Sequence, residues 1–228
     1  KALLFIAEED DGKDLLEVLI HNRKNWSKKV KMLQMQKYAS GVEIAVGTFF
    51  NGSDFVMPVC VNFEHKRMFP GDLGPFTGEM GTLLFFSDRN EVFLQTLEKM
   101  REALAASNYV GYIDINCIAD RAGIHPLEFT SRFGYPTISI QMEAMSDGWG
   151  EFLYKIAKGE QVEFKAKKGF QVGVVIAVPP FPFDDTKTFS VYKDSSILFK
   201  KHSWEGIHLG DVKLVDNDLR LAGESGYA

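Results

Sequence analysis

Oxygen-bearing side chains alternate with apolar ones along residues 111–134, "GYIDINCIADRAGIHPLEFTSRFG". A turn signal at 120–123 separates two strand-like segments, so this stretch predicts a β-hairpin. Side chains two residues apart share one face of a strand, and folding the hairpin brings the polar faces of the two strands side by side. The residues placed on these faces are Asp114, Asn116, Glu128, Thr130 and Arg132.

This polar face allows two interpretations. The solvent-exposed side of a sheet would show the same alternation, and alternation alone favours that interpretation. However, two carboxylates, neutral oxygens and a nearby guanidinium are the groups that Mg²⁺ and nucleotide phosphates require together. The oxygen chemistry therefore favours a site that binds a metal ion and phosphate.

The stretch Pro70 to Leu83, "PGDLGPFTGEMGTL", is rich in glycine and lies between two apolar runs. It predicts a long loop with unusual backbone freedom. Taken alone, it is interpreted as a structural loop whose glycines make turns.

The remaining pattern predicts a mixed α and β protein with these elements in a definite order. Apolar residues at helical spacing predict helices at 12–26, 91–106, 137–145 and 149–158. Period-two alternation predicts strands at 30–38, 42–50, 54–63, 110–118 and 126–133. From about residue 169 onward only short strands and turns are predicted, so a domain boundary is expected near Lys168, giving domains 1–168 and 169–228.

Composition and charge bear on whether the protein binds nucleic acid or a membrane. The 228 residues are 45% hydrophobic with a net charge of −5, and acidic and basic residues are interleaved. No nucleic-acid partner is expected, because a phosphate-binding surface would need a basic face. No apolar run is long enough to span a membrane, and Cys60 and Cys117 sit in apolar alternating runs that predict buried free thiols. A cytoplasmic location without a membrane partner is therefore expected.

Three motifs, in order and spacing, resemble one enzyme family. The segments "HKRMFPGDLGPFTGEMGT", "PLEFTSRFGYPT" and "SDGWGEFLYKIAKG" are similar to the glycinamide ribonucleotide synthetases, or phosphoribosylamine–glycine ligases, of the ATP-grasp superfamily. "QVGVVIAVPPFP" and the final segment resemble the small C-terminal β domain of that family. The resemblance implies an α+β ATP-grasp fold, of which this chain holds the central and C-terminal part, followed by a small all-β domain. It also implies that the chain is truncated at its N-terminus and shows little turnover alone.

The resemblance implies a reaction as well as a fold. Such enzymes use ATP and Mg²⁺ (or Mn²⁺) to phosphorylate a carboxylate, and an amine then displaces the phosphate of the acyl phosphate to form an amide. The implied substrates are small molecules, an amino acid and a phosphoribosylamine-like amine, as in the phosphoribosylamine–glycine ligase step of purine biosynthesis.

Residue roles follow from the same resemblance. The glycine-rich segment would lie over the reacting groups, where glycines let backbone N–H groups approach a carboxylate or phosphate. Arg132 would face the transferred phosphate, and Glu43 would accept from the ribose hydroxyls, although an exposed strand carboxylate would look the same. The implied metal ligands are Asp114, Asn116, Glu128 and Thr130. The other implied nucleotide contacts are Lys1, Gln36, Lys37, Tyr38 and Ala39. The implied substrate contacts are His65, Lys66, Arg67, Asp72, Thr77, Gly78, Glu79, Met80 and Gly81.

Three positions depart from the family pattern. Thr130 stands where a metal-binding asparagine is usual, and Tyr135 and Thr137 stand where acids are usual. These departures leave two alternatives open. One is a ligase of the same chemistry for another amino acid or phosphosugar, and the other is a non-catalytic nucleotide-binding module.

Overall fold

The computed structural model describes residues 5–7, 11–183, 186–200 and 203–222. Two compact units are present, Lys1–Ser40 and Gly41–Ala228. In the first unit, helix α1 spans Lys13–Trp26, as its apolar spacing predicted. The predicted strand at 30–38 is wrong, because residues 32–40 form neither helix nor strand and side chains such as Met32 and Tyr38 are exposed. Alternation produces a strand only where a neighbouring strand supplies hydrogen bonds.

The second unit is built on a six-stranded antiparallel sheet. Its strands are β1 (Val42–Asn51), β2 (Val59–Phe69), β3 (Leu73–Ser87), β4 (Val110–Asp120), β5 (Gly123–Thr130) and β6 (Phe170–Val174). Their order is β5-β4-β1-β2-β3-β6. The predicted β4–β5 hairpin is confirmed, and β1 lies between it and the β2–β3 hairpin.

The glycine-rich segment is a strand, not the loop that its composition predicted. It forms most of β3, which pairs with β2 after a tight turn at Gly71 and Asp72, both at positive φ. His65 pairs with Gly81 but Arg67 pairs with Phe76, so five steps along β3 oppose two along β2. The glycines therefore lie in and around a wide bulge of a hairpin, where the backbone departs from the regular pleat.

Helices cover both faces of the sheet. One face packs against α2 (Glu91–Gln95), a 3-10 turn (Leu97–Met100) and α3 (Arg101–Ala106) around buried Val46, Phe50 and Ile115. The sequence predicted one helix here, and Thr96, with φ −124° and ψ −90°, interrupts it. The other face packs against α4 (Thr137–Ala144) and α5 (Trp149–Ala157), with an aromatic cluster around Phe49.

The C-terminal part contains a helix that the sequence did not predict. Helix α6 spans Thr186–Tyr192 where only strands and turns were expected, and strands β7 (Val212–Val215) and β8 (Asp218–Leu221) pair with each other. Strand β6 begins two residues after Lys168 and pairs with β3. The division into domains 1–168 and 169–228 stays a prediction.

Two simpler expectations concern cysteines and membranes. Cys60 and Cys117 are free and buried, as predicted. Within the described ranges, no helix has the length and apolar character needed to cross a membrane.

Candidate functional site

The polar face predicted on the β4–β5 hairpin exists; its β4 residues are buried, whereas Glu128 on β5 is exposed. Asp114 pairs directly opposite Thr130, and Asn116 pairs opposite Glu128. Asp114 is 7% and Asn116 is 9% exposed, so the solvent-face interpretation is wrong for β4. The four predicted metal ligands are thus two adjacent cross-strand pairs on one side of the sheet.

Small residues on β1 leave room over the middle of this polar face. Ala45 lies between Asn62 of β2 and Asn116 of β4, and Gly47 pairs with Asp114. A Cβ at Gly47 would overlap the Tyr112 hydroxyl and the Asp114 carboxylate. Position 47 therefore requires glycine for the Asp114 carboxylate to lie where it does.

Asp114 is held in a largely dry environment. The pKa of Asp114 is raised to about 7, mainly by burial and also by the nearby charge of Glu64. Hydrogen bonds from Tyr112 and Asn62 and the charge of Arg132 lower the pKa, but they do not outweigh burial. The Tyr112 hydroxyl donates to Oδ2 of Asp114 over 3.4 Å and accepts from Nε2 of Gln141 over 3.1 Å. A chain of neutral donors thus orients the carboxylate without neutralising its charge.

Arg132 lies beyond the end of β5. Its Nη1 donates to the backbone oxygen of Phe133 over 3.2 Å, and its side chain is exposed. Its charge lowers the pKa of Asp114, so the guanidinium lies within electrostatic range of that carboxyl group.

Lys66 links β2 to β1 through a pair of carboxylates. Its ammonium group forms a close ion pair with Oε1 of Glu43 and a second one with Oε2 of Glu64 over 3.3 Å. Burial disfavours the charge of Lys66, but the hydrogen bond to Glu43 and the charge of Glu64 outweigh burial and raise its pKa. Glu43 also accepts from Nδ2 of Asn116 over 3.5 Å, so it is a fixed and half-buried carboxylate.

Four of the predicted substrate contacts, His65, Lys66, Arg67 and Asp72, line an open cleft of about 330 Å³. The Arg67 guanidinium lies 3.7 Å from the ring centroid of Phe76 and donates to Gly74 O over 2.8 Å. Nδ1 of His65 is 3.9 Å from Oδ1 of Asp72. The cleft is lined by Glu43, Glu64, His65, Lys66, Arg67, Asp72 and Phe76.

The bulge of β3 turns one carboxylate into the interior. Glu79 is 6% exposed, and it accepts a hydrogen bond from Oγ1 of Thr137 over 3.4 Å. The pKa of Glu79 is raised to about 9, mainly by burial and also by the charges of Glu64 and Asp114. The hydrogen bond from Thr137 and the charge of Lys66 lower the pKa, but they do not outweigh burial.

The other predicted residues of the bulge are engaged through their backbone or in local contacts. Thr77 donates its hydroxyl to Lys66 O over 2.8 Å, Met80 O accepts from Val175 N over 2.9 Å, and Gly81 pairs with His65. A Cβ at Gly78 would meet nothing within 4 Å, so the backbone is open at that position.

The predicted nucleotide contacts on the N-terminal side are placed separately. The first unit contains Gln36, Lys37, Tyr38 and Ala39, in a segment that is neither helix nor strand, and their adenine-binding role stays a prediction. Lys1 lies outside the described residues.

Four residues of the site were not predicted from the sequence. Glu64 and Asn62 alternate with Lys66 on β2, and that period-two pattern before "HKR" was the available signal. Tyr112 and Gln141 are brought together only by packing of α4 on the sheet.

The predicted ligand set fits a metal ion that is also bound by phosphate. Among the described residues, no group of three or more His, Cys, Asp or Glu side chains is placed to hold a metal alone. Asp114 and Glu128 offer two carboxylates, and Asn116 and Thr130 offer neutral oxygens, which leaves coordination positions for phosphate oxygens and water. The negative charge that raises the pKa of Asp114 is charge that a divalent cation would offset.

Comparisons with known sequences agree with the motifs. Residues 1–138 match the family model described as "Phosphoribosylglycinamide synthetase, ATP-grasp (A) domain". A phosphoribosylamine–glycine ligase of Streptococcus pyogenes serotype M3 is 30% identical over 162 residues, covering 67% of this chain and 38% of the relative. That of Halalkalibacterium halodurans is 26% identical over 201 residues, covering 82% and 45%. The chain thus spans less than half the length of these curated relatives.

Solved structures show the same fold. The phosphoribosylamine–glycine ligase of Thermotoga maritima matches with a TM-score of 0.65 and 20% identity, over 92% of this chain and 54% of that one. The phosphoribosylglycinamide synthetase of Anaerococcus prevotii matches with a TM-score of 0.50 and 12% identity, over 95% and 59%. The expected α+β ATP-grasp fold is confirmed. With its sheet, its motifs and the match over residues 1–138, the chain belongs to the phosphoribosylglycinamide synthetase family and carries part of its ATP-grasp domain.

Proposed function

We propose that this chain supplies the ATP-grasp part of an ATP- and Mg²⁺-dependent ligase that joins a carboxylate to an amine through an acyl phosphate. The observation that carries the proposal is the pairing of Asp114 with Thr130 and of Asn116 with Glu128 on one side of the sheet, in a chain of this family. Relatives named phosphoribosylamine–glycine ligase support glycine as the acid and phosphoribosylamine as the amine.

The β4–β5 hairpin is the metal and phosphate side of the proposed site. Asp114, Asn116, Glu128 and Thr130 would hold Mg²⁺ or Mn²⁺, and the bound ion would offset the charge of the nucleotide phosphates. Tyr112 keeps the Asp114 carboxylate in place through its hydroxyl, with Gln141 behind it. The exposed guanidinium of Arg132 would stabilise the charge that develops on the phosphoryl group as it is transferred.

The cleft of the β2–β3 hairpin is the proposed side for the anionic amine substrate. His65 and Arg67 bring donors to the cleft, and Lys66 lies at its base beside Glu43 and Glu64. The open backbone at Gly78 would allow an N–H group to approach a carboxylate or phosphate.

The nucleotide itself would be recognised by polar contacts from three places in the sequence. Gln36 to Ala39 would read adenine through backbone groups, and Lys1 would contact the phosphates. Glu43 would accept from the ribose hydroxyls, because its carboxylate is already fixed by Lys66 and Asn116.

A titration of Mg·ATP tests the proposal. Glu128→Gln should weaken Mg·ATP binding by roughly tenfold or more, about 1.4 kcal/mol, since the carboxylate acts by holding the ion. The melting temperature should stay close to that of the wild type, because Glu128 is exposed. Glu151→Gln, which removes an exposed acid on α5, is the charge-matched control and should leave binding unchanged.

Two results would contradict this assignment. Equal losses of thermal stability and of binding in Glu128→Gln would make Glu128 a structural residue. Tight Mg·ATP binding without ADP release for any acid would instead favour a non-catalytic nucleotide-binding module, for which Thr130 in place of asparagine is the sequence argument.

A further inference from the structure

Three carboxylates, among them the proposed metal ligand Asp114, lie within electrostatic range of one another. Glu64 comes from β2, Glu79 from the bulge of β3 and Asp114 from β4. The charge of Glu64 acts on both of the others, and Asp114 also acts on Glu79. Glu79 and Asp114 are 6% and 7% exposed, so the cluster lies in the interior.

The protein does not supply enough donors for this cluster. Glu79 receives a neutral hydroxyl from Thr137, and Asp114 receives one from Tyr112, each over 3.4 Å. The ammonium of Lys66 is directed at Glu43 and Glu64. Within the described part of the chain, Glu79 and Asp114 form no ion pair with a lysine, arginine or histidine. A buried carboxylate without a cation is costly, so Glu79 keeps its proton in the ligand-free protein, and a positive donor would displace that proton.

Two further buried oxygens lack a hydrogen-bond partner at the same place. Asn62 lies two residues before Glu64 on the same face of β2, and Thr82 pairs opposite Glu64 on β3. Both side chains are 2% exposed, and Asn62 Oδ1 and Thr82 Oγ1 have no partner in the structure. An unpaired buried acceptor is rare in folded proteins and points to a ligand that donates to it.

The chemistry favours an organic ammonium group over a metal ion. Among the described residues, no group of three or more His, Cys, Asp or Glu side chains could hold a metal ion by itself, and no phosphate is proposed beside Glu79 to complete a coordination shell. A primary ammonium carries three N–H donors and reaches acceptors about 2.8 Å away, a spacing that a wider cluster can satisfy. Glu64 also lines the open cleft, so the cluster adjoins the cleft through this residue.

We propose that Glu79, with Glu64 and Asp114 beside it, binds the primary ammonium group of a small ligand. The identity of the ligand rests on the proposed function, under which it is the amino group of the amino-acid substrate. Thr137, one of the two positions where family acids are missing, donates to Glu79. Glu79 therefore places a carboxylate from the β3 bulge beside the site of a missing acid.

Calorimetric titration with two glycine derivatives tests binding of the ammonium group and of the carboxylate separately. Glycinamide keeps the ammonium and lacks the carboxylate, whereas N-acetylglycine keeps the carboxylate and lacks the ammonium. Glu79→Gln should weaken glycinamide binding by roughly tenfold or more, since the carboxylate that forms when the ammonium displaces the Glu79 proton is replaced by a neutral amide. Binding of N-acetylglycine and of Mg·ATP should be unchanged, as should all binding by the control Glu151→Gln.

A conservative variant guards against a purely structural effect. Glu79→Asp keeps the charge and should bind glycinamide more tightly than Glu79→Gln does, although both alter the packing. Equal glycinamide affinities of these two variants, or of Glu79→Gln and the wild type, would overturn the proposal, as would no glycinamide binding by the wild type. Weakened binding of Mg²⁺ alone in Glu79→Gln, with glycinamide unaffected, would also overturn it.

The failure of this proposal can be told from the failure of the proposed function. If the wild type does not bind Mg·ATP, the ligase proposal fails, whatever glycinamide does. If Mg·ATP binds and Glu79→Gln leaves glycinamide binding intact, only the ammonium site fails.

Discussion

At the scale of single residues, Glu79 couples folding to pH. Burial raises its pKa from 4.5 to about 9, with Glu64 and Asp114 adding to the rise and Thr137 and Lys66 opposing it. The folded protein therefore keeps a proton that the unfolded chain releases, so this group lowers stability as pH rises from about 4.5 to about 9. The loss is at most about 1.4 kcal/mol per pH unit inside that window.

Glu79→Gln removes this titration and tests its sign. The melting temperature of the variant, relative to the wild type, should increase steadily from about pH 5.5 to about pH 8.5. Thermal melts in a series of buffers measure it, and Glu151→Gln, whose carboxylate is exposed, should show no such trend. A constant difference across the series would mean that Glu79 does not carry the proton.

At the scale of elements, helix α4 directs two neutral donors at the sheet, Thr137 to Glu79 and Gln141 to the Tyr112 hydroxyl. Thr137 and Gln141 are four residues apart and thus lie on one side of the helix, and both are buried. Thr137→Glu would put a second carboxylate beside Glu79, which should lower the free energy of unfolding by about 3 kcal/mol. Urea unfolding measures the loss.

A double-mutant cycle isolates this contact. Adding Glu79→Gln to Thr137→Glu should recover most of the lost stability, because the new carboxylate then faces an amide that can donate to it. Thr137→Val, which removes only the hydroxyl, should cost about 1 kcal/mol. Additive effects of the two substitutions would show that the side chains do not interact.

At the scale of the whole molecule, two hairpins of the sheet flank β1, and their polar side chains named above lie on the same side of the sheet. The β4–β5 hairpin carries the proposed metal and phosphate groups, and the β2–β3 hairpin carries the substrate cleft and Glu79. Gly47, on β1 between them, leaves room for the Tyr112 hydroxyl and the Asp114 carboxylate. This arrangement would let one amino acid present its carboxylate to one hairpin and its ammonium to the other.

Substrate selection follows from this arrangement. With ATP, Mg²⁺ and phosphoribosylamine, the ligase of which this chain is proposed to supply the ATP-grasp part should release ADP mainly with one amino acid, and glycine is expected first. A site that hydrogen-bonds both ends of a ligand discriminates strongly against ligands that leave its polar groups unpaired. ADP release across a panel of amino acids measures the preference. Equal release with every acid, or with none, would contradict the ligase proposal.

Local patterns in the sequence determined a large part of this protein. The β4–β5 hairpin and its paired polar residues follow from period-two alternation and a turn, which act between near neighbours. The motifs also established the family. By contrast, the strand predicted at 30–38 did not form, since alternation cannot supply a partner strand.

Only the tertiary structure decided which side of the sheet is covered and what meets there. Alternation is the same whether a polar face meets water or helix α4, so the burial of Asp114 could not be predicted. The glycine-rich stretch became a bulged strand because β2 lies beside it. Glu79 and Thr137 are 58 residues apart in the chain, and only packing of α4 on the sheet joins them. Contacts between distant residues depend on how the covered faces pack, which no local spacing encodes.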